Sequence, residues 1–275
     1  MSICTRSIAF PCPILSEILA PFPKDFVVVN SLADPEVLSL ILRHPRFPSG
    51  VETVTSEFSG ASYERICKKR GGERKALVAF ARRGVPSIFS KISAEKRLSL
   101  WIGLPTVEGE KCYNSYVLLD RGLPVFVHRK KYLFKRDEQG IIDTPPAFDG
   151  CLGGRTILIC HEMQGFYDPV WKECRLPEAR GKSRLLLVPA IWTANKKEVL
   201  KRIARTIVRK NRSPVDAMAI HADGSVALIS DDNWAGVFGA VEKGRQKGAS
   251  FAEIQKAGWI HLDRERKVIN IVEAI

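Results

Sequence analysis

The sequence has no hydrophobic run that approaches the roughly 18 residues needed to cross a bilayer. Its seven cysteines are odd in number and include no C-x-x-C pair, which argues against a zinc ribbon or a secreted disulfide framework. The five histidines are scattered without the spacing of metal ligands, so we expect no metal and no cofactor. Two prolines, a serine and a glutamate interrupt the apolar stretch over 8–23, which makes it a poor signal peptide. We therefore expect a cytoplasmic protein that does not associate with membranes.

Aromatic residues are also few, at 8%, whereas hydrophobic residues make up 45% and charged residues 27% of the 275 positions. This composition is that of a soluble globular protein, and no repeat or linker divides the chain, so we expect one domain over 1–275. Lysine and arginine number 43 against 30 acidic residues, a formal net charge of +13. A basic surface in water is the simpler interpretation, and nucleic-acid binding is the alternative that the charge leaves open. Only Tyr132 and Phe134 are interleaved with the basic clusters, so we do not expect a nucleic-acid partner.

Short apolar runs alternate with helical patterns along the chain, which favours a layered α/β fold. Two strands joined by Arg121-Gly122 are predicted to form an antiparallel hairpin. The segment over 161–183 is long enough for a crossover between two apolar strands, which is typical of a sheet covered on both faces. The predicted strands cover 26–29, 51–58, 98–104, 113–120, 123–127, 155–160, 184–189, 218–221, 226–230 and 268–272, with a turn over 105–109. The predicted helices cover 35–43 (with Asp34 as N-cap), 63–83, 198–210 and 251–257.

Cys160 ends one of the predicted strands, directly before His161 and Glu162. Ligand sites in α/β proteins lie at strand ends. A thiol there acts as a nucleophile when a nearby cation lowers its pKa and a base takes its proton. From this segment alone, a small buried structural cysteine is the alternative interpretation. His161 is badly placed as the base, because neighbouring residues on an extended chain point to opposite faces.

A basic segment, His128–Phe134 (HRKKYLF), places Lys130 30 residues before Cys160 and by itself indicates a solvated surface. Together with the strand that ends at Cys160, it resembles the nitrilase, or carbon–nitrogen hydrolase, superfamily. In that family a strand ending in Y-R-K-x-H-L-F supplies a catalytic lysine, and a later strand ending in I-C-Y-D supplies a cysteine. The segments over 101–120 (WIGLPTVEGEKCYNSYVLLD) and 184–192 (RLLLVPAIW) are also similar to the family, in the expected order. The resemblance is clear over residues 98–192.

The resemblance implies a four-layer α-β-β-α sandwich with a Glu-Lys-Cys triad. Cys160 would be the nucleophile and Lys130 the cation that stabilises negative charge. Glu57, at the end of a strand-like run, would be the general base, with Glu52 as the alternative. A further acidic residue often follows the lysine in this family, and Glu138 fits that position, with Asp137 as its rival.

Three further residues are expected to contact the substrate. His161 and Glu162 stand where the family often has Tyr-Asp, and Trp192 ends the strand segment that follows the cysteine region. The C-terminal third departs from the family, because the basic helix predicted near its start lacks the usual Glu-Asn pair.

The implied activity is hydrolysis of a non-peptide C–N bond in a small amide, nitrile or ureido substrate, through an acyl-enzyme on the cysteine. An N-acyltransferase that uses the same acyl-enzyme is one alternative, because the triad does not define the acceptor. A catalytically inactive binding protein with a basic face is the other. The resemblance also implies a homodimer formed by face-to-face packing of the sandwiches.

Overall fold

The computed structural model describes residues 5–12, 15–20, 22–61, 73–133, 140–162, 185–190, 217–221, 225–229, 249–254 and 256–274. The strands are β1 (Thr5–Pro11), β2 (Phe26–Asn30), β3 (Glu52–Val54), β4 (Ser99–Glu108), β5 (Lys111–Asp120), β6 (Leu123–Arg129), β7 (Cys151–Leu152), β8 (Arg155–Ile157), β9 (Leu185–Val188), β10 (Ala217–His221), β11 (Ser225–Ile229), β12 (Ala249–Glu253), β13 (Gly258–Asp263) and β14 (Val268–Ala274). The helices are α1 (Leu15–Leu19), α2 (Pro35–Arg43), α3 (Glu73–Ala81) and α4 (Ser87–Glu95).

The strands form two sheets. The eight-stranded sheet has the order β1-β14-β13-β2-β3-β4-β5-β6, and the six-stranded sheet has the order β12-β11-β10-β9-β8-β7. The neighbouring pairs within β2-β3-β4 and within β8-β9-β10 are parallel, and the other neighbours are antiparallel. Parallel strands therefore lie in the interior of each sheet, where both of their faces can be covered.

Two apolar cores cover the two faces of the eight-stranded sheet. Because side chains alternate along a strand, Val28 of β2 faces the six-stranded sheet, whereas Val27 and Val29 face the helices. The inter-sheet core includes Val54, Trp101 and Tyr116 from the first sheet and Ile157, Leu185 and Leu187 from the second. The other core packs α2, α3 and α4 against the first sheet through Leu38, Ile41, Leu77, Phe89 and Ile92. The layered α/β architecture predicted from the sequence is confirmed.

Helix α2 follows its sequence signals closely. The Asp34 side chain accepts hydrogen bonds from the backbone N–H groups of Glu36 (2.8 Å) and Val37 (3.3 Å), and Pro35 occupies the first helical turn. The helix ends at Arg43, as predicted. None of the described helices is long and apolar enough to span a bilayer.

The predicted hairpin pairs are also present. Strands β5 and β6 are antiparallel neighbours that meet at Arg121-Gly122, and β10 pairs antiparallel with β11. The parallel arrangement of β8 and β9 agrees with the predicted crossover. The predicted helix over 198–210 and the 63–72 part of the helix predicted over 63–83 lie outside the described residues.

Four predictions about elements are wrong in part, one of them the strand predicted over 155–160, which ends at Ile157. The segment predicted as a helix over 251–257 begins within strand β12 instead. Pairing with β11 satisfies the backbone hydrogen bonds of this strand, whereas so short a helix would be unstable by itself. The turn predicted over 105–109 is mostly strand, since β4 continues to Glu108 and turns only at Gly109. Strand β3 ends at Val54, earlier than predicted, and the chain then turns. Strands β1 and β13 were not predicted from the sequence.

Candidate active site

Glu57 lies in the turn that follows β3, at the carboxyl end of a parallel strand. The Thr55 hydroxyl donates to the carbonyl of Trp101 (2.8 Å), and the Tyr116 hydroxyl donates to the carbonyl of Thr55 (2.7 Å). Phe58 has a left-handed backbone (φ 52°), which reverses the chain directly after Glu57. These buried bonds to the neighbouring strands fix the turn and therefore the position of the Glu57 carboxyl group.

Gly103 of β4 lets this turn pack directly on the sheet. A Cβ at Gly103 would lie 2.5 Å from the Phe58 nitrogen and 2.7 Å from the Ser56 oxygen. Only a glycine permits this close approach of two backbones. The approach is supported by the Gly60 N–H, which donates to the Gly103 carbonyl (2.9 Å).

Lys130 directly follows β6 and forms a buried ion pair with Glu57. The distance from Lys130 Nζ to Glu57 Oε1 is 2.9 Å, and the two side chains are only 1% and 7% exposed. Asn114 Nδ2 donates to the same oxygen (2.7 Å), and the Asn114 carbonyl accepts from the Lys130 N–H (2.8 Å). Among the described residues, both hydrogen bonds to this carboxylate end on Oε1. None of the described residues donates a hydrogen bond to Oε2.

Cys160 lies in a second turn, after β8 of the other sheet. Its backbone is left-handed (φ 49°), a conformation rare for residues other than glycine and frequent at functional turns. Its N–H donates to the carbonyl of Pro189 (2.8 Å), just after β9. The side chain is half-buried and packs against the inter-sheet core. Because the chain turns here, the argument that Cys160 and His161 point to opposite faces of an extended strand does not hold.

Glu162 connects the Cys160 turn to the strand end that carries Lys130. Its Oε2 accepts from the Ile159 N–H (2.8 Å) and lies 2.8 Å from His128 Nε2. Its Oε1 accepts from the Lys131 N–H. The carboxylate therefore bonds to the chain just before Cys160 and to the residue just after Lys130. The structure brings Glu57 and Lys130 into direct contact and ties the Cys160 turn to the same segment.

Protein groups surround Glu162, one of the residues that the sequence predicts to contact a substrate. The side chain is 0% exposed, and protein donors engage both of its oxygens. His161 is also buried, at 5% exposure. Glu138, its rival Asp137, and Trp192 lie outside the described residues.

The alternative base, Glu52, has a different set of partners. Its Oε1 accepts from Arg155 Nε (2.8 Å) and from Trp101 Nε1 (2.8 Å), and its Oε2 pairs with the same guanidinium. Arg155 belongs to β8, so this pair bridges the two sheets. Both carboxylate oxygens of Glu52 are thus engaged in holding the sheets together.

Sequence reasoning missed three polar residues around the site. Asn114 lies in strand β5 and is fully buried although its side chain is polar. His128 is fully buried although it begins the basic segment interpreted as a solvated surface. Asp149 lies 2.6 Å from His128 Nδ1, a contact between residues 21 positions apart that no local pattern indicates.

The pKa of His128 differs from that of an ordinary histidine. Burial of its ring disfavours the charged form, but the Glu162 and Asp149 carboxylates outweigh burial and raise its pKa to about 9. Among the described residues, no group of three or more histidine, cysteine, aspartate or glutamate side chains is arranged to hold a metal ion.

Comparisons with solved structures give the class of fold. A mutant of the Nesterenkonia AN1 amidase from the nitrilase superfamily superposes with a TM-score of 0.55 at 15% identity, covering 91% of this chain and 90% of that chain. Another structure of the Nesterenkonia amidase shows covalent addition of the acetamide moiety of fluoroacetamide at the active-site cysteine (TM-score 0.50, 14% identity, covering 91% and 90%).

Two further proteins extend the comparison. A carbon–nitrogen hydrolase from Helicobacter pylori G27 gives a TM-score of 0.50 at 14% identity, covering 91% of this chain and 89% of that chain. A glutamine-dependent NAD+ synthetase from Acinetobacter baumannii gives 0.52 at 13% identity, but this chain spans only 47% of it. No protein-family model and no curated protein matches the sequence. The chain therefore has the fold of the carbon–nitrogen hydrolases, as predicted, and is divergent in sequence.

Proposed function

We propose that the chain is a thiol-dependent hydrolase of a non-peptide C–N bond in a small amide, nitrile or ureido compound. Cys160 is the nucleophile, Glu57 the general base and Lys130 the fixed cation. The observation that carries the proposal is the buried contact between Lys130 and Glu57, with the Cys160 turn bonded through Glu162 to the residue after Lys130. A buried carboxylate and ammonium beside a strained cysteine turn are the parts that thiol acyl transfer needs.

In the first half of the reaction, Glu57 accepts the thiol proton of Cys160, and the thiolate attacks the carbonyl carbon of an amide. Lys130 stabilises the negative charge that develops on the carbonyl oxygen, together with a backbone N–H of the turn. The protonated Glu57 then gives its proton to the departing amine as the C–N bond breaks, which leaves a thioester on Cys160.

In the second half, Glu57 takes a proton from water as the water oxygen attacks the thioester. The C–S bond breaks, the acid product leaves, and Glu57 returns the proton to the thiolate. We further propose that Glu138 orients the base or the substrate amine and that His161 and Trp192 line the substrate site.

The fold comparison supports this assignment without defining the substrate. The amidase with the same fold carries an active-site cysteine that is modified by an amide compound. An amide is therefore the first substrate class to test.

Mass spectrometry after incubation with a panel of small amides and nitriles tests the proposal. We expect an acyl adduct on Cys160, retained in Cys151→Ala and lost in Cys160→Ala. Cys151 is a suitable control because it is an exposed free cysteine outside the site. An adduct absent from Cys160, or equally frequent on Cys151, would refute the hydrolase and leave the basic-faced binding protein.

The same adduct also tests the alternative of acyl transfer. Release of the thioester by water alone supports hydrolysis. Faster release by an added alkylamine from the folded acyl-enzyme than from the denatured one, with the N-acyl product, would favour an N-acyltransferase.

A further inference from the structure

His128 lies between two carboxylates that bind both of its ring nitrogens. Nδ1 is 2.6 Å from Asp149 Oδ1, and Nε2 is 2.8 Å from Glu162 Oε2. The His128 and Glu162 side chains are fully buried, whereas Asp149 is 39% exposed. The Phe148 ring packs edge-on against the imidazole, with 5.1 Å between the ring centroids. The described surroundings of the imidazole therefore hold two anionic groups and an apolar ring.

This arrangement requires a proton on each ring nitrogen. A neutral imidazole donates from one nitrogen only and would turn a lone pair toward the other carboxylate. Although burial opposes the charge, the two carboxylates keep the pKa of His128 near 9, so the ring is a cation at neutral pH. It then donates a charge-assisted hydrogen bond to each carboxylate.

The two carboxylates also hold the backbone on both sides of Lys130. Asp149 Oδ1 accepts from the Arg129 N–H (3.2 Å), and Glu162 Oε1 accepts from the Lys131 N–H. Glu162 is in turn bonded to the Ile159 N–H, directly before Cys160. The cation thus joins three pieces of chain: the end of β6, the residues before β7 and the Cys160 turn.

We propose that His128 is a positioning residue, which holds the Cys160 turn and the Lys130 backbone in a fixed relation by bridging Asp149 and Glu162. This inference rests on the proposed function, since it assigns a purpose to the relation between the two groups. A left-handed cysteine persists only where its surroundings over-determine it, and the bridge supplies that constraint. Without the positive charge, the buried Glu162 carboxylate and the partly exposed Asp149 carboxylate would have no cation between them, which is unfavourable.

The test is the rate at which chloroacetamide alkylates Cys160, followed by peptide mass spectrometry as a function of pH. In the wild type we expect a fast reaction at neutral pH that declines above about pH 9, as the bridge loses its proton. The rate of an unconstrained thiol would rise with pH as more thiolate forms and would then level off without a decline.

Two substitutions of His128 test separately its hydrogen bonds to Glu162 and to Asp149. In His128→Gln the amide nitrogen takes the place of Nε2 and keeps the bond to Glu162. In His128→Asn it takes the place of Nδ1, and the bond to Glu162 is lost. We expect His128→Asn to slow alkylation of Cys160 by about tenfold at neutral pH, because small misplacements in a site have large effects. His128→Gln should retain most of the rate without the alkaline decline. His44→Asn, on the helix-covered face, is the matched control and should behave as the wild type.

The pH at which alkylation of Cys160 declines in Asp149→Asn distinguishes the positioning role of His128 from a purely structural one. Removing this carboxylate removes one of the groups that raise the pKa of His128, so the decline should move to lower pH. The neutral rate should stay close to that of the wild type, because the oxygen of the new amide can still accept from the Arg129 N–H. Because Asp149 is partly exposed, we expect Asp149→Asn to fold, so this variant still tests the positioning role if His128→Asn does not fold.

Two results would overturn the inference in different ways. Selective alkylation of Cys160 that is unchanged in His128→Asn, with an Asp149→Asn profile that superposes on the wild type, refutes the positioning role and leaves the proposed function intact. If wild-type Cys160 reacts no faster than Cys151, the proposed function fails, and the inference fails with it.

Discussion

The ammonium of Lys130 and the carboxylate of Glu57 lie 2.9 Å apart although 73 residues separate them in the chain. Both side chains are buried, so each neutralises a charge that would be costly alone. The ammonium and the Asn114 amide both bind Oε1 of this carboxylate, and none of the described residues donates to Oε2, where we propose that the thiol proton is taken up. This arrangement makes the roles of the two residues separable by substitution.

Glu57→Gln should reduce turnover, whereas Glu52→Gln should reduce stability. An amide at position 57 cannot take up the thiol proton, so we expect turnover to fall by about 10²–10⁴-fold. An amide at position 52 leaves Arg155 partly unpaired between the sheets, which we expect to reduce the free energy of unfolding by up to about 3 kcal/mol. Turnover per folded Glu52→Gln molecule should stay near the wild-type value. Steady-state kinetics and urea unfolding measure the two effects, and an active Glu57→Gln would contradict the assignment of the base.

Lys130→Arg should be severely damaging although it keeps the charge. A planar guanidinium is larger than an ammonium and cannot fit the buried position beside the Glu57 carboxylate without moving it. We expect at least about a hundredfold loss of turnover, since misplacement by about 1 Å has that effect. Lys131→Arg, which alters the neighbouring, less buried lysine, is the comparison variant. Equal activity in both variants would argue against a special role for Lys130.

Cys160→Ala should abolish turnover while the protein stays folded. The side chain is half-buried, so its loss removes few apolar contacts, and the N–H that bonds to Pro189 is unaffected. We expect a melting temperature within a few degrees of the wild type, because a small loss of free energy shifts it by only about 2–4 °C. Circular dichroism and a turnover assay check both parts. Turnover by Cys160→Ala above that of a control without enzyme would point to another nucleophile.

Gly103→Ala should move the turn that carries Glu57. The new Cβ would meet the Phe58 nitrogen at 2.5 Å, so the turn has to shift. We expect a loss of about 1–3 kcal/mol in stability, together with a fall in turnover measured on the folded protein. Gly258→Ala clashes with the carbonyl of Val272 on a different part of the same sheet and should lose stability alone. Equal turnover per folded molecule in the two variants would show that the turn tolerates the shift.

Stability should decline at alkaline pH because of His128. Its pKa in the folded protein, about 9, is above the ordinary value of 6.5, so bound protons stabilise the fold fully below pH 6.5. This contribution, on the order of 3 kcal/mol, is lost as pH rises through about 9. Urea unfolding at several pH values should show the decline in the wild type and a flatter profile in His128→Gln. Identical slopes in the two proteins would contradict a charged His128.

Sequence patterns predicted the elements whose conformation is determined by residues close together in the chain. The N-cap at Asp34, the hairpin turn at Arg121-Gly122 and the apolar strand before Cys160 follow from capping, turn chemistry and periodicity. Strand β12 could not be predicted in this way, because its pairing with β11 rather than its own residues decides its conformation.

Within the candidate site, the sequence predicted only the residues that lie in recognisable motifs. Lys130 and Cys160 each stand in a short recognisable segment, and their positions at two strand ends agree with that interpretation. Asn114, Asp149 and the bridging place of His128 depend on contacts across the fold that the sequence does not encode locally. The protein partners of Glu162 were unpredictable for the same reason, since its carboxylate lies against His128 of β6, Lys131 after β6 and the Ile159 N–H of its own turn.

The division of the site between the two sheets has a consequence for heat inactivation. Glu57, Lys130 and Asn114 belong to the chain around the eight-stranded sheet, whereas Cys160 follows a strand of the six-stranded sheet. If Cys160 and Glu57 act together as proposed, a small relative movement of the two sheets would separate the sulfur from the carboxylate while both sheets keep their strands. Catalytic failure on warming should therefore come before the far-ultraviolet signal of the strands begins to fade.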